Sequence, residues 1–475
     1  MAVAESRCAV TPLAMSGLST VSYGMAELLV RPLPDGGIEP WLAESFTQEQ
    51  PDTWRIQLRD GVRFHNGREV DAEAVVAAME YASERSFAAD PVSTGTVEAT
   101  GPQEVTIVTG EPLAVTPQSL ASIYSYPIFD VAALEAAGED EAEVVAAGVY
   151  TGPFRPSAVT GQTIHAERFE DYWGPAPAVA NLELRCITDA QARVSAVRAG
   201  EADIALSPPP DAAAALADDP RATYVAGSEA EATFLQFNLT QPPFDELAVR
   251  QAVVQGIDYS ALAEGLGLTG PPAAGLYPAG MPWAGETQGT DLAAAQRLLA
   301  DAGYQPGEDG VGERDGVPLR ITYLWSEDPS HESLGILLRD QLAPLGFDVH
   351  LRQVEAHYDN ASWPEEWHVN ANPLTMDGLG NDPTQVLYTW LGQGGLNFGQ
   401  VADEQLDDVI AQARLTADQG ERDDLLRQAQ ELVWAEGYGV VAAFWPVGAV
   451  VNTGYGGFLP DSKLLHIGAD LAPSS

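Results

Sequence analysis

Seven histidines, two cysteines and 69 acidic side chains are the groups in this 475-residue chain that could do chemistry. Their spacing offers little of it. No GxSxG elbow exposes a serine, no HExxH sets two imidazoles on one helical face, and no GxxxxGK[ST] loop is present to cradle phosphates. No dinucleotide fingerprint follows a strand either. His357 and His368 flank an aromatic-acidic loop without metal-ligand spacing. Gly378, Gly380 and Gly392–Gly395 lack a following lysine and read as a flexible rim loop. Among so many acids, any pair of carboxylates is solvated surface before it is an acid–base dyad. What remains is non-covalent capture, which needs aromatic walls and a few polar groups that fix orientation. The aromatics nearest predicted strand ends and loops are Tyr23, Tyr124, Tyr126, Phe237, Trp325, Trp390, Phe398 and Trp445. Asn238, Met376, Asp377 and Arg155 are the accompanying candidates for ligand contact, with Arg85 as a further cation to test.

Composition narrows the partners. Asp plus Glu outnumber Lys plus Arg by 69 to 23, leaving a net charge of −46, and Lys463 is the only lysine. Such a surface repels nucleic acid and anionic lipid, since both are bound by cations that displace counterions. The same excess is what a salt-adapted or GC-rich composition produces. No run approaches the ~18 uninterrupted apolar residues of a membrane span. The opening MAVAESRC has no apolar core, so it is not a signal peptide; either the protein stays in the cytoplasm or a leader lies outside this sequence. Cys8 and Cys186 sit in strand-like runs, RCAVT and LRCIT, which a parallel pairing could bring together. A disulfide would suit an exported protein, and two buried thiols are the alternative.

The elements that must position these groups are organised about TFLQFNLTQPPFDELAVR, Thr233–Arg250. Phe234–Leu239 reads as a strand, Pro242-Pro243 breaks it, and Asp245 is placed to N-cap a helix through Leu247, Val249, Ala252 and Val253. Upstream, residues 7–12 read as a first strand and Met25–Val30 as helix or a helix end. Trp54, Ile56 and Leu58 alternate with polar residues as a half-buried strand, Val62–Phe64 returns, and Asp71 caps a helix bearing Ala74, Val75, Ala78 and Met79. LELRCITDAQARVSAVRAGEADIAL reads as strand, Asp189-capped helix, Gly200 stop and strand, a βαβ unit of a parallel sheet. Further on, helices are expected over 291–302, 334–345, 404–414 and 422–436, and strands over 319–325, 347–354 and 439–451. A chain this long predicts two or three cores.

Several of these segments carry an ordered pattern. It runs Pro40-Trp41-Leu42-Ala43, then Trp54 through Phe64 with Asn66-Gly67, Asp71-Ala72-Glu73, GVYTGPF at 148–154, Tyr172-Trp173-Gly174, Phe237-Asn238-Leu239 and Val249-Arg250-Gln251-Ala252. The pattern resembles the family 5 extracytoplasmic solute-binding proteins that deliver peptides, nickel complexes and opines to ABC transporters. The resemblance implies an α/β, two-lobed periplasmic-binding-protein-like fold of type II, with hinge strands between the lobes. Lobe I would be 1–233 plus 445–475, with an extra subdomain at about 33–165, and lobe II 234–444. It implies capture in an interlobe cleft, a membrane permease as partner, no cofactor and no metal site built by the protein, a monomer, and a periplasmic or cell-surface location.

In peptide-binding relatives an aspartate four residues before the proline of a turn holds the ligand's ammonium. Here Leu379 stands at that spacing before Pro383, so either the anchor is absent or Asp377 replaces it with a shifted loop, while Asp382 serves its own turn. Nickel-chelate relatives use arginines instead, where ASIYSYPIFD offers Tyr124 and Tyr126. The rival readings are a hydrolase or transferase working in the same cleft, and a cytoplasmic peptide chaperone or sensor.

Overall fold

The computed structural model describes residues 1–5, 10–12, 18–33, 37–85, 92, 95–110, 112–122, 126–138, 140–209, 212–227, 231–268, 270–307, 310–326, 329–355, 360, 363–375, 382–456, 458 and 472–473. They form two compact units, one of residues 1–228, 377–382 and 447–475, the other of 229–376 and 383–446.

Unit 1 is built on a seven-stranded sheet. Its order is Ala222–Ala226, Gly448–Asn452, Ile204–Leu206, Ala2–Glu5, Asn181–Cys186, Thr163–Arg168 and Phe154–Thr160. The first strand is therefore Ala2–Glu5, not residues 7–12; of those, Val10–Pro12 carry no strand and 7–9 lie outside the described residues. It runs parallel to both neighbours, Val3 lying opposite Leu184 on one side and Ile204 on the other. The βαβ unit thus spans this inserted strand. Its helix Ala190–Ala199 starts where Asp189 accepts the Ala192 N–H and stops at Gly200, whose φ of +76° an L side chain would resist.

Residues 25–30 are not helical. The preceding helix is Leu18–Ser22, and Met25 to Leu29 form a buried turn and bridge leading into a strand at Val30. A second, four-stranded antiparallel sheet (Ala43–Gln50, Thr53–Leu58, Glu104–Val108, Thr96–Gly101) has its own hydrophobic cluster, in which Trp54, Ile56 and Leu58 meet Val75, Ala78 and Met79 of the helix Ala72–Arg85. Asp71 caps that helix through the Ala74 N–H at 2.8 Å. Val62–Phe64 form no strand, only a bridge between Arg63 and Glu69 closing the Asn66-Gly67 turn.

Unit 2 holds a five-stranded sheet, ordered Asp348–Gln353, Arg320–Trp325, Val369–Thr375, Glu231–Phe237 and Gly439–Trp445. Glu231–Phe237 is antiparallel to both neighbours and buried at every position after the first, the polar Thr233 and Gln236 included. Leu235 and Phe237 share one face with Ile321 and Val349 and meet Val253, Ile257, Leu338 and Leu342 of the covering helices. The helix after the prolines is Leu247–Gly256. Its N-cap is Glu246, with no side-chain cap bond, rather than Asp245; the Glu246 carboxylate is held instead by Arg314. The apolar run 439–451 is divided by Pro446 and Val447: Gly439–Trp445 pairs in unit 2 and Gly448–Asn452 in unit 1.

Candidate functional site

In unit 2, the strand Gly439–Trp445 is buried until its last residue, Trp445, which is partly exposed. The Trp445 indole N–H donates to Thr233 Oγ1 at 2.8 Å, and Thr233 Oγ1 lies 3.0 Å from His331 Nε2. Thr233 and His331 are buried, and Tyr323 donates its hydroxyl to the His331 carbonyl at 2.7 Å. The ring is thus held from behind with its one donor used inside the unit. It can offer a ligand an apolar π face, but no hydrogen bond.

A second polar feature crosses the same sheet. Asn370 donates to Asn372 at 2.8 Å, Asn372 to Gln236 at 3.4 Å, and Gln236 to the carbonyls of Trp390 and Leu396 at 3.0 and 2.9 Å. All three amides are fully buried. Buried amides without partners would cost a few kcal/mol each. Spent this way, they fix the end of the helix Pro383–Leu391 and the glycine-rich turn after it. Asn238 is likewise engaged: its amide donates to the Trp367 carbonyl and its oxygen accepts from the Thr240 N–H and hydroxyl.

The remaining aromatic candidates of unit 2 are mostly packing residues. Phe237 is buried against Phe244 at 4.9 Å, Trp390 lies 6.4 Å from Phe234, and Trp325 lies 6.2 Å from Tyr323. Phe398 is partly buried and meets Trp363 edge-on at 5.0 Å, in a cluster with Trp367, Leu324 and Val354. His368 accepts from the Thr322 N–H and donates to the Pro242 carbonyl, both at 3.0 Å, and burial lowers its pKa. It is a neutral strut. Among the described residues no three His, Cys, Asp or Glu side chains converge as metal ligands.

In unit 1, Tyr23 and Tyr126 are each 2% exposed, within the clusters of the large and small sheets respectively. Arg155 pairs with Glu167 across the exposed face of two neighbouring strands, and Arg85 pairs with Glu84 while its guanidinium sits 3.9 Å over Tyr81. Burial lowers the His65 pKa to about 4, leaving a neutral ring that donates from Nε2 to the Gly152 carbonyl at 2.8 Å. Tyr124, Met376, Asp377 and Cys8 lie outside the described residues. Cys186 is the register partner of Glu5, three residues before Cys8 in sequence.

The contacts of three residues escaped the reading from sequence. Glu27 is completely buried, and its carboxyl accepts from Tyr172 and Trp173. Arg250 and Gln251 cap a helix more than 180 residues away in sequence. Arg250 and Gln251 lie inside the Val-Arg-Gln-Ala motif and Glu27 lies in none, and nothing local says what any of them touches.

Residues 37–398 match the family described as bacterial extracellular solute-binding proteins, family 5. The chain belongs to that family. Among curated relatives, the glutathione-binding protein GsiB of Escherichia coli strain K12 is 26% identical over 438 residues, covering 83% of this chain and 78% of that one. NikA from Brucella suis, solved in complex with Fe(III)-EDTA, superposes with a TM-score of 0.85 at 23% identity over 100% of both chains. NikA from Staphylococcus aureus in complex with Ni(L-His)2 does so with a TM-score of 0.80 at 19% identity, over 100% of this chain and 99% of that one. These structures share the mixed α/β fold of two-lobed binding proteins. Family 5 members bind small solutes for ABC import rather than transform them, which agrees with the absence of a catalytic motif in the sequence.

Proposed function

We propose that this family 5 protein captures a peptide-like solute bearing an amine, outside the cytoplasm and as a monomer, and passes it unaltered to an ABC permease. The supporting observation is the state of the candidate cations. Arg155 and Arg85 are both committed to acidic neighbours, so neither stands ready to take the carboxylates of a metal chelate. Trp445, with its indole N–H already bonded to Thr233, supplies a face suited to an apolar or cationic group. Asp377 is the anchor proposed for the amine, and Trp445 and Phe398 the aromatic contacts. GsiB, whose name gives a glutathione ligand, is the relative that fits this chemistry.

A thermal-shift screen over glutathione, di- to hexapeptides, opines and nickel with histidine tests the proposal. A true ligand at ~100 times its Kd adds about 2.7 kcal/mol of apparent stability. The peptide arm is expected to respond, and the hit should be recovered unchanged after long incubation. A response confined to nickel–histidine would overturn the peptide assignment, and turnover of the hit would overturn the receptor reading.

The Cys8–Cys186 disulfide is part of the same proposal, since such bonds persist in oxidising compartments. Unreduced protein unfolded in denaturant should show no reactive thiol, and two after reduction. Because the crosslink would close a long loop, reduction should cost roughly 2–5 kcal/mol. Two thiols before reduction would remove the pairing.

A further inference from the structure

Glu27 stands where two of the hydrophobic clusters of unit 1 meet. Its neighbours Ala26 and Leu28 belong to the cluster under the seven-stranded sheet, and Leu29 to that of the four-stranded sheet. Its carbonyl accepts the N–H of Ile128, a member of the second cluster, at 2.9 Å. Tyr172 donates its hydroxyl to the carboxyl at 2.8 Å, and the Trp173 indole N–H lies 3.1 and 3.2 Å from the two oxygens. The side chains of Thr151 and Trp41 also face it. Trp173 packs against both clusters and Trp41 against the first. One carboxyl therefore ties together groups from both of these clusters.

Among the described residues, none of the groups bonded to it is a cation. Arg59 lies 4.9 Å over the Trp173 ring and donates to the Trp41 carbonyl. Arg31 is paired with Glu39, and Arg168 with Glu170. Beyond Ile128, Asp130 is held by Arg68 and Asn66, and His65 is neutral on the Gly152 carbonyl beside Thr151. A buried carboxylate with donors but no counter-charge is costly to ionise. Among the described residues Thr151 Oγ1 has no hydrogen-bond partner apart from this carboxyl, which it faces.

We propose that Glu27 is a proton-operated latch between these two clusters of unit 1, fastened when its carboxyl is neutral and slackened when it ionises. In support, burial pushes its pKa up to about 7, against the lowering effect of the surrounding hydrogen bonds. A folded pKa above the unfolded one means that the stabilisation is complete below the unfolded value of 4.5 and is lost as pH rises through about 7. His65 acts in the opposite sense: with its pKa lowered to about 4, its contribution is present above 6.5 and lost as pH falls. The two nearly cancel in the wild-type profile, so the comparison must be between proteins that share His65.

Glu27→Gln keeps an acceptor for Tyr172 and Trp173 but cannot titrate. Urea unfolding of both proteins between about pH 5 and about pH 8 should show the ratio of their unfolding constants changing roughly 70-fold, the variant gaining relative to wild type as pH rises. A ratio constant across that range overturns the latch. Infrared spectra of wild-type protein labelled with [13C]glutamate decide the matter even if the variant fails to fold. One protonated glutamate should persist at about pH 6.5 and vanish by about pH 8.5; its absence at the lower pH overturns the proposal equally.

Discussion

Raising sodium chloride from about 0.05 M to about 1 M should raise the melting temperature by on the order of 10 °C. The cause is the charge imbalance of 69 acids against 23 cations. Salt also weakens ion pairs, so the sign of the effect has to be decided. The pairs present, such as Arg31–Glu39, Arg55–Glu49 and Arg427–Asp424, join side chains that are each about two-fifths exposed or more. Such pairs contribute about 0–1 kcal/mol apiece. They occupy only a minority of the carboxylates. The rest repel one another over distances set by the Debye length, which shrinks from ~10 Å at 0.1 M to ~3 Å at 1 M. Repulsion among dozens of uncompensated charges therefore outweighs the loss of a few exposed attractions. Sucrose at matched osmolality raises stability by exclusion without screening, and should give a smaller shift. Melting temperatures that stay flat or fall with added salt would refute this account.

The same imbalance was legible from composition alone, and so was much of the fold. Alternation at Trp54, Ile56 and Leu58 reports a strand with one buried face, and Asp71 and Asp189 each cap the helix that follows them. Misreadings arose where tertiary partners override local signals. Asp245 has the chemistry of an N-cap, but the helix begins one residue later and the adjacent Glu246 is claimed by Arg314 from a distant hairpin. Ala2–Glu5 is too short to announce itself. It is a strand because Leu184 and Ile204 flank it, not because of its own propensity.

The candidate site was less legible, for a physical reason. An aromatic side chain in a sequence does not reveal whether its face meets solvent or another ring. Phe237 and Trp390 are packing partners, whereas Trp445 is partly exposed only because its strand ends there. The Thr233–His331 support behind it joins residues 98 apart, a separation that no periodicity encodes.

Arg250→Met is expected to destabilise unit 2 by about 2–4 kcal/mol. The Arg250 guanidinium donates from Nε to the Glu436 carbonyl at 2.9 Å and from Nη1 to the Phe244 carbonyl at 2.8 Å. Gln251 donates to the carbonyls of Trp434 and Ala435 at 2.6 and 2.7 Å. Together they satisfy three consecutive carbonyls at the end of the 18-residue helix Gln419–Glu436 and place a positive charge at the negative end of its dipole. Burial lowers the arginine's pKa, so part of the gain offsets the cost of burying the charge, and methionine avoids that cost. The lost bonds should still prevail, because the Phe244 carbonyl is buried and the Glu436 carbonyl part-buried. Lysine would keep the charge but not the fork, and should recover less than half of the loss. Gln251→Ala should cost about 1 kcal/mol alone, with coupling to Arg250 measurable in the double variant.

The effect should reach Trp445, the proposed ligand contact. The helix ends at Gly437, whose φ of +60° turns the chain into the strand Gly439–Trp445, and a Cβ there would come within 2.9 Å of the Arg250 Cβ. Loosening the cap should therefore speed hydrogen exchange at Val440 and Val441 as well as lower the urea midpoint of unit 2. A loss below about 1 kcal/mol, with exchange in that strand unchanged, would mean that the Val-Arg-Gln-Ala motif does not hold the strand in place.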